Sequence, residues 1–337
     1  MRISPIISFN VYSANKSLMG QIKSNLPYDT VSFSAKRKKT DNKPISPNII
    51  KSTQFGEKLY SELKSGATKK DISKRVKEEL PTLQVQSLSG IEKQVVFADG
   101  YAAYFTSPLD DDFSMTKSTM YLSEEPFRIA DNIEKLSFAL DVAHEYTHAQ
   151  QVVSGRESEF YKEISDCDVD MARTIVGMSN LTYELMDKSL QARTLSRIFA
   201  NPIDFFNFQK YGKEIPREIA LTKQMLISNA NCTNEAQYKS MVQNECKMAF
   251  IRAIEYVIQH PENVEESIFK TLMKIGNEDK IDDLFEKTKL MCAHNAEGEA
   301  EARTTESIIA KKVLGVRKTL NIDCYPMYYE LVSNALK

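Results

Sequence analysis

The stretch DNIEKLSFALDVAHEYTHAQQVVSG, residues 131–155, decides how the rest of the chain is read. Ile133, Leu136, Leu140 and Ala143 recur at three- and four-residue steps, the period of one helical face. Asp131 stands where an N-cap belongs, Glu134 follows where a capping box needs it, and Gly155 is a natural stop. The spacing predicts a helix from about Asn132 to Ser154. His144 and His148 extend the row that begins at Leu136 and Leu140, so they stand one turn apart on or beside the packed side.

That spacing has a chemical purpose. Imidazoles at i and i+4 point the same way and can share one Zn²⁺ at about 2.0–2.1 Å each. Glu145 lies about 100° round the helix from His144, too far to be the natural third ligand. It can reach a water at the metal, where a general base belongs. His144-Glu145-Tyr146-Thr147-His148 thus supplies two ligands and a base from one turn, and two of the chain's four histidines fall inside it. The competing reading is a pair of half-buried helix histidines bonded to neighbouring carboxylates.

A catalytic zinc needs a third protein ligand and an open position. No histidine follows closely after His148, where the chain reads AQQVVSGRESEF, so the ligand must come from far along the sequence. The candidate segment is HNAEGEAEAR, residues 294–303, leading into TTESIIAKKVLG. Asn295 can cap a helix there, Lys311 and Lys312 suit its last turn, and Gly315 can end it. Relative to the apolar face of Ala302, Ile309 and Val313, Glu299 lies ~60° away, Glu301 ~100° and Glu297 ~140°. A carboxylate near a buried face is costly unless paired or metal-bound. Glu299 is therefore the preferred ligand and Glu301 the alternative, with Glu306 placed to hold an imidazole N–H. A solvated acidic helix start, favoured by the helix dipole, is the competing account.

HEYTH followed by a remote glutamate helix resembles the gluzincin branch of the zincin metallopeptidases. Glu299-Ala300-Glu301-Ala302 matches the first four positions of that branch's E-x-x-A-[D/N] helix, and GEAEAR is similar to zincin-like domains of phage and plasmid polyvalent proteins. The resemblance implies ligands at His144, His148 and Glu299, with Glu145 as base. It also implies that the strand from Ser118 to Leu122 lines the cleft as a sheet edge, where an extended peptide could pair. Two departures stand out. Arg303 occupies a position where an acidic or amide group is common. The interval from His148 to Glu299 is long, so a helical insertion separates the two halves.

Outward from these motifs the chain changes texture. Residues 1–52 hold nine Lys/Arg against Asp29 and Asp41, with the run Lys36-Arg37-Lys38-Lys39, and are expected to form a disordered basic leader. The pieces IEKQVVFADG, YAAYFTSP and STMYLSEEP read as short strands, with Asp99-Gly100 as a hairpin turn. Everything after Asp131 is dominated by helical periods. The expected fold is α+β: mainly helical and zincin-like, with a small antiparallel sheet packed on the histidine helix. A catalytic core at 53–160 would carry a helical insertion at 161–289, and residues 290–337 would complete the site with the glutamate helix.

Bulk properties exclude little. A net charge of −2 gives no general pull toward nucleic acid or anionic membrane, and no apolar run is long enough to span a bilayer. Cys167, Cys232, Cys246, Cys292 and Cys324 form no C-x-x-C pair and read as small thiols in a reducing compartment. With no signal peptide evident, a cytoplasmic protein is expected, the alternative being export without a recognisable signal.

His294 could serve as ligand or as donor to a tetrahedral intermediate, against a loop histidine without a role. His260, before Pro261, suits a helix end. Tyr325, Tyr328 and Tyr329 include candidate oxyanion donors but read better as core. Asp166, Asp168 and Asp170, like Asp110 to Asp112, read as exposed or helix-start acids rather than a calcium loop. The expected activity is a zinc metallopeptidase acting on a peptide or protein substrate. The alternative is a non-catalytic helical interaction or effector-like scaffold that retains a zincin-derived metal site.

Overall fold

The computed structural model describes residues 45–81, 92–97, 103–106, 117–128, 131–154, 167–195, 223–275, 278–315 and 324–337. Helix α1 (Pro47–Lys64) starts with Ser46 as N-cap and Pro47 in the first turn. It begins inside the stretch expected to be a leader, because Ile49, Phe55, Leu59 and Leu63 give it a face to bury. The leader's run Lys36 to Lys39 lies outside the described residues. Helix α2 (Lys69–Glu79) opens on a capping box between Thr68 and Asp71.

Three strands follow: β1 (Glu92–Phe97), β2 (Ala103–Thr106) and β3 (Lys117–Leu122). Their order is β1-β3-β2, with β1 parallel and β2 antiparallel to β3. The α+β class fits, but the sheet is mixed, and the expectation of an antiparallel sheet holds only for the β2–β3 pair. β1 and β2 are not neighbours, so no hairpin ladder joins them. Asp99 and Gly100 themselves lie outside the described residues. The expectation that β3 forms a sheet edge is overturned too, since β3 is paired on both sides. The reason is burial. Ser118, Thr119, Met120 and Leu122 are all buried, and a strand covered on both faces belongs where both rows of backbone groups are satisfied.

After the short α3 (Glu125–Arg128), α4 (Asn132–Val153) runs as the spacing predicts. Asp131 accepts the Ile133 N–H at 2.9 Å, and the Ser154 N–H closes the last turn on Gln150. The helix is buried on two sides. Leu136, Leu140 and Ala143 face a large core formed with the later helices. Phe138, Ala139, Val142, Tyr146 and Ala149 face a second core with α1, α2 and the sheet. Tyr146 stacks on Phe55 with ring centroids 4.4 Å apart.

The remaining elements among the described residues are helical: α5 (Val169–Thr194), α6 (Lys223–Asn229), α7 (Glu235–Gln259), a short 3-10 turn (Pro261–Asn263), α8 (Glu266–Lys274), α9 (Glu278–Leu314) and α10 (Cys324–Leu336). Asp168 caps α5 by accepting the Met171 N–H, which makes Asp168 and Asp170 helix-start acids; Asp166 and Asp110 to Asp112 lie outside the described residues. His260 caps the end of α7. Helix α9 has 37 residues and is about 55 Å long. It runs through Asn295, which therefore caps nothing, and through the boundary expected near 290. Leu284, Met291 and Cys292 are buried ahead of Asn295 and carry the helix backward on the same packing. Gly315, at φ +88°, ends it with an N–H to Lys311 O at 3.0 Å.

Helix α9 packs against α4, α5, α1 and α10, which sets its middle beside the second half of α4. Gly56 of α1 allows the close approach: a Cβ there would lie 2.5 Å from Ile309 Cδ1 and 2.8 Å from Ala143 Cβ. Among the described residues, no helix is long and apolar enough to cross a membrane.

Candidate metal centre

Thr147 and Thr305 show how the two helices meet. Thr147 Oγ1 donates to its own helix at Ala143 O (2.8 Å) and lies 3.2 Å from Thr305 Oγ1 on α9, both residues fully buried. From that contact outward, residues at helical steps on each side must face one another. On α4 these are His144, His148 and Gln151; on α9 they are Glu299, Glu301 and Glu306.

Three of them converge. His144 Nε2 and His148 Nε2 are 3.1 Å apart, with Glu299 Oε2 3.4 Å from the first and Glu299 Oε1 3.3 Å from the second. An ion held tetrahedrally at about 2.0–2.1 Å from each donor would separate the donors by about 3.3–3.4 Å. The donor set is two imidazole nitrogens and a carboxylate, and its spacing fits. His144, His148 and Glu299 could hold a metal ion.

The outer nitrogens are held as well. His144 Nδ1 lies 2.8 Å from Glu306 Oε1, and His148 Nδ1 lies 3.0 Å from Gln151 Oε1. Each contact sits on the side of its ring opposite the common point, so the two Nε2 atoms face inward. Arg303 donates through Nη1 to both oxygens of Glu306, at 3.0 and 3.1 Å, and its guanidinium lies over Tyr325. The departure at Arg303 is thereby accounted for: the acidic group beside His144 comes from Glu306, and Arg303 braces Glu306.

The other glutamates are spent elsewhere. Glu301 accepts from Gln151 Nε2 at 2.8 Å and from the Ser46 hydroxyl, so it faces the start of α1. Glu297 pairs with Lys337 at 2.8 Å. His294 lies inside α9 rather than in a loop and is not one of the converging residues. Glu145 is buried on the same turn as His144. The Tyr328 and Tyr329 hydroxyls donate to Asp187, at 2.8 and 3.2 Å. Tyr183 of α5 keeps a buried hydroxyl with no hydrogen-bond partner among the described residues, within electrostatic reach of Asp187, Tyr329 and Glu299.

Electrostatics bind the cluster together. Burial and Arg303 oppose charge on His144, yet Glu299 and Glu306 overcome both and push its pKa up to about 10. His148 is likewise raised: burial works against its charge, and its hydrogen bond to Glu299 prevails. Burial opposes ionisation of Glu299 and Glu306, but His144 with His148 holds the first well below the usual carboxylate range, and Arg303 with His144 lowers the second. Asp141, one turn before His144, is pushed up to about 8 by burial and then by Glu306. Asp141 and Gln151 were missed in the sequence. Their signal was spacing alone, three residues before His144 and three after His148.

No protein-family model matches the chain, and neither a curated protein nor a solved structure does.

Proposed function

We propose that this chain is a zinc-dependent metallohydrolase of the zincin type, a peptidase that uses Glu145 as general base. The observation that supports it best is the convergence of His144 Nε2, His148 Nε2 and Glu299 within 3.4 Å of one another. Three protein donors would leave a tetrahedral zinc one further position for solvent or substrate. Two imidazoles and one carboxylate suit zinc better than the hard cations, which prefer oxygen alone.

When bound, the ion lowers the pKa of a water toward neutrality and polarises the scissile carbonyl. The chain's own groups do the rest. Glu145 takes the proton of the attacking water on a carboxylate oxygen and hands it to the leaving amine nitrogen. Glu306 and Gln151 keep the two rings aimed inward. Strand β2 is the edge of the described sheet that packs on α4, and an extended peptide would add to that edge.

The test is hydrolysis of a quenched-fluorescent peptide library by the zinc-loaded protein and its Glu145→Gln variant. The variant should keep its zinc and lose turnover by at least about a hundredfold. Equal turnover would remove Glu145 from the mechanism. A zinc-bound protein that cleaves nothing would favour the non-catalytic scaffold.

A further inference from the structure

We propose that Gln151 is the positioning residue that prepares His148 for the metal, and that Ser46 at the start of α1 sets Gln151 through Glu301. The inference rests on the metal reading above and goes beyond it by linking the ligand to the first described helix.

Gln151 Nε2 donates to Gly298 O at 3.0 Å and to Glu301 Oε2 at 2.8 Å. Both partners accept only, so the amide cannot be flipped without facing oxygen with oxygen twice. Its Oε1 must then point the other way, to His148 Nδ1 at 3.0 Å. An oxygen there accepts only, so Nδ1 carries the hydrogen and Nε2 keeps its lone pair for an ion. Glu301 is fixed in turn by the Ser46 hydroxyl, which also caps α1. The chain of contacts runs 46–301–151–148, joining three elements far apart in sequence. The space is tight as well, since a Cβ on Gly298 would lie 3.1 Å from Gln151 Oε1.

A charge swap tests this. Gln151→Glu keeps an acceptor for His148 but sets a second carboxylate against Glu301 and Gly298 O. Glu301→Gln alone keeps an acceptor for Gln151. The double variant restores a donor–acceptor pair with the polarity reversed, leaving only Gly298 O without its donor. The readout is Zn²⁺ affinity by competition with a chromophoric chelator, with circular dichroism as the check on folding. Gln151→Glu should bind zinc about 10- to 100-fold more weakly, Glu301→Gln within about threefold of the parent, and the double variant within about tenfold. A folded Gln151→Glu with parental affinity would overturn the inference. So would a double variant that fails to fold or binds no better than Gln151→Glu. If Gln151→Glu alone does not fold, recovery of fold and zinc binding in the double variant still supports it. A parent protein that binds no zinc would sink the metal reading itself, a different and recognisable result.

Discussion

Glu306 Oε1 stands 2.8 Å from His144 Nδ1, on the side of the ring opposite Glu299. One imidazole is thus gripped by two carboxylates of the same helix, seven residues apart, one proposed as ligand and one as brace. Glu306→Ala should leave the three converging donors in place yet weaken zinc binding about 10- to 100-fold, because the ring loses the partner that fixes its orientation. Competition titration checks this. Unchanged affinity would mean that packing alone orients His144.

Stability against pH should have an unusual slope once metal is stripped by a chelator. His144 is raised from its ordinary value to about 10, and a base raised on folding stabilises fully below its unfolded pKa, near 6.5. That contribution drains away as pH climbs from about 6.5 to about 10. Asp141, raised to about 8, adds to the loss between its ordinary value and 8, since the folded form then holds the extra proton. Glu299 and Glu306 are lowered, so their contribution is complete above the ordinary carboxylate range and is lost only in acid. Thermal melts of the stripped protein should fall steadily from pH 6 to 9. Added zinc should reverse the trend, because only neutral imidazole binds metal. A stripped protein that melts higher at pH 9 than at pH 6 would contradict these assignments.

Gly56 lets α1 approach α4 and α9 closely. A methyl there meets Ala143 Cβ at 2.8 Å, and that atom cannot move without its backbone. Gly56→Ala should cost about 1–3 kcal/mol of stability through overpacking. Urea unfolding checks it. A neutral or stabilising change would mean that α1 slides freely on α4.

Tyr183 has a buried hydroxyl without a partner among the described residues, and such a group is expected to find one in a working complex. Under the hydrolytic mechanism proposed above, a substrate carbonyl oxygen developing charge would be that acceptor. Tyr183→Phe should then lower kcat about 10²- to 10³-fold with zinc content unchanged. A drop in zinc content with no change in turnover per zinc would assign Tyr183 to structure alone.

Legibility in the sequence followed the range of the interaction. Helix α4, its Asp131 cap and the facing of His144 with His148 depend on neighbours within a few turns, and periodicity alone gave them. Glu299 was separable from Glu297 and Glu301 because helical angle fixes which carboxylate lies nearest the buried face. The strands were readable one by one, but their order was not. A local turn signal at Asp99-Gly100 says nothing about β3, whose burial on both faces draws β1 and β2 to either side of it. Asn295 looked like a cap only because its own side chain suits one, whereas Leu284, Met291 and Cys292 carry the helix past it by packing on partners far along the chain. Gln151 stayed hidden for the same reason, since its three partners lie on two different helices.

Zinc content by elemental analysis tests the central claim most directly, measured on the purified chain and its Glu299→Ala variant after passage over a desalting column. The parent should carry about one zinc per chain and the variant a small fraction of that. A parent without zinc, or a variant that retains it in full, would contradict the claim.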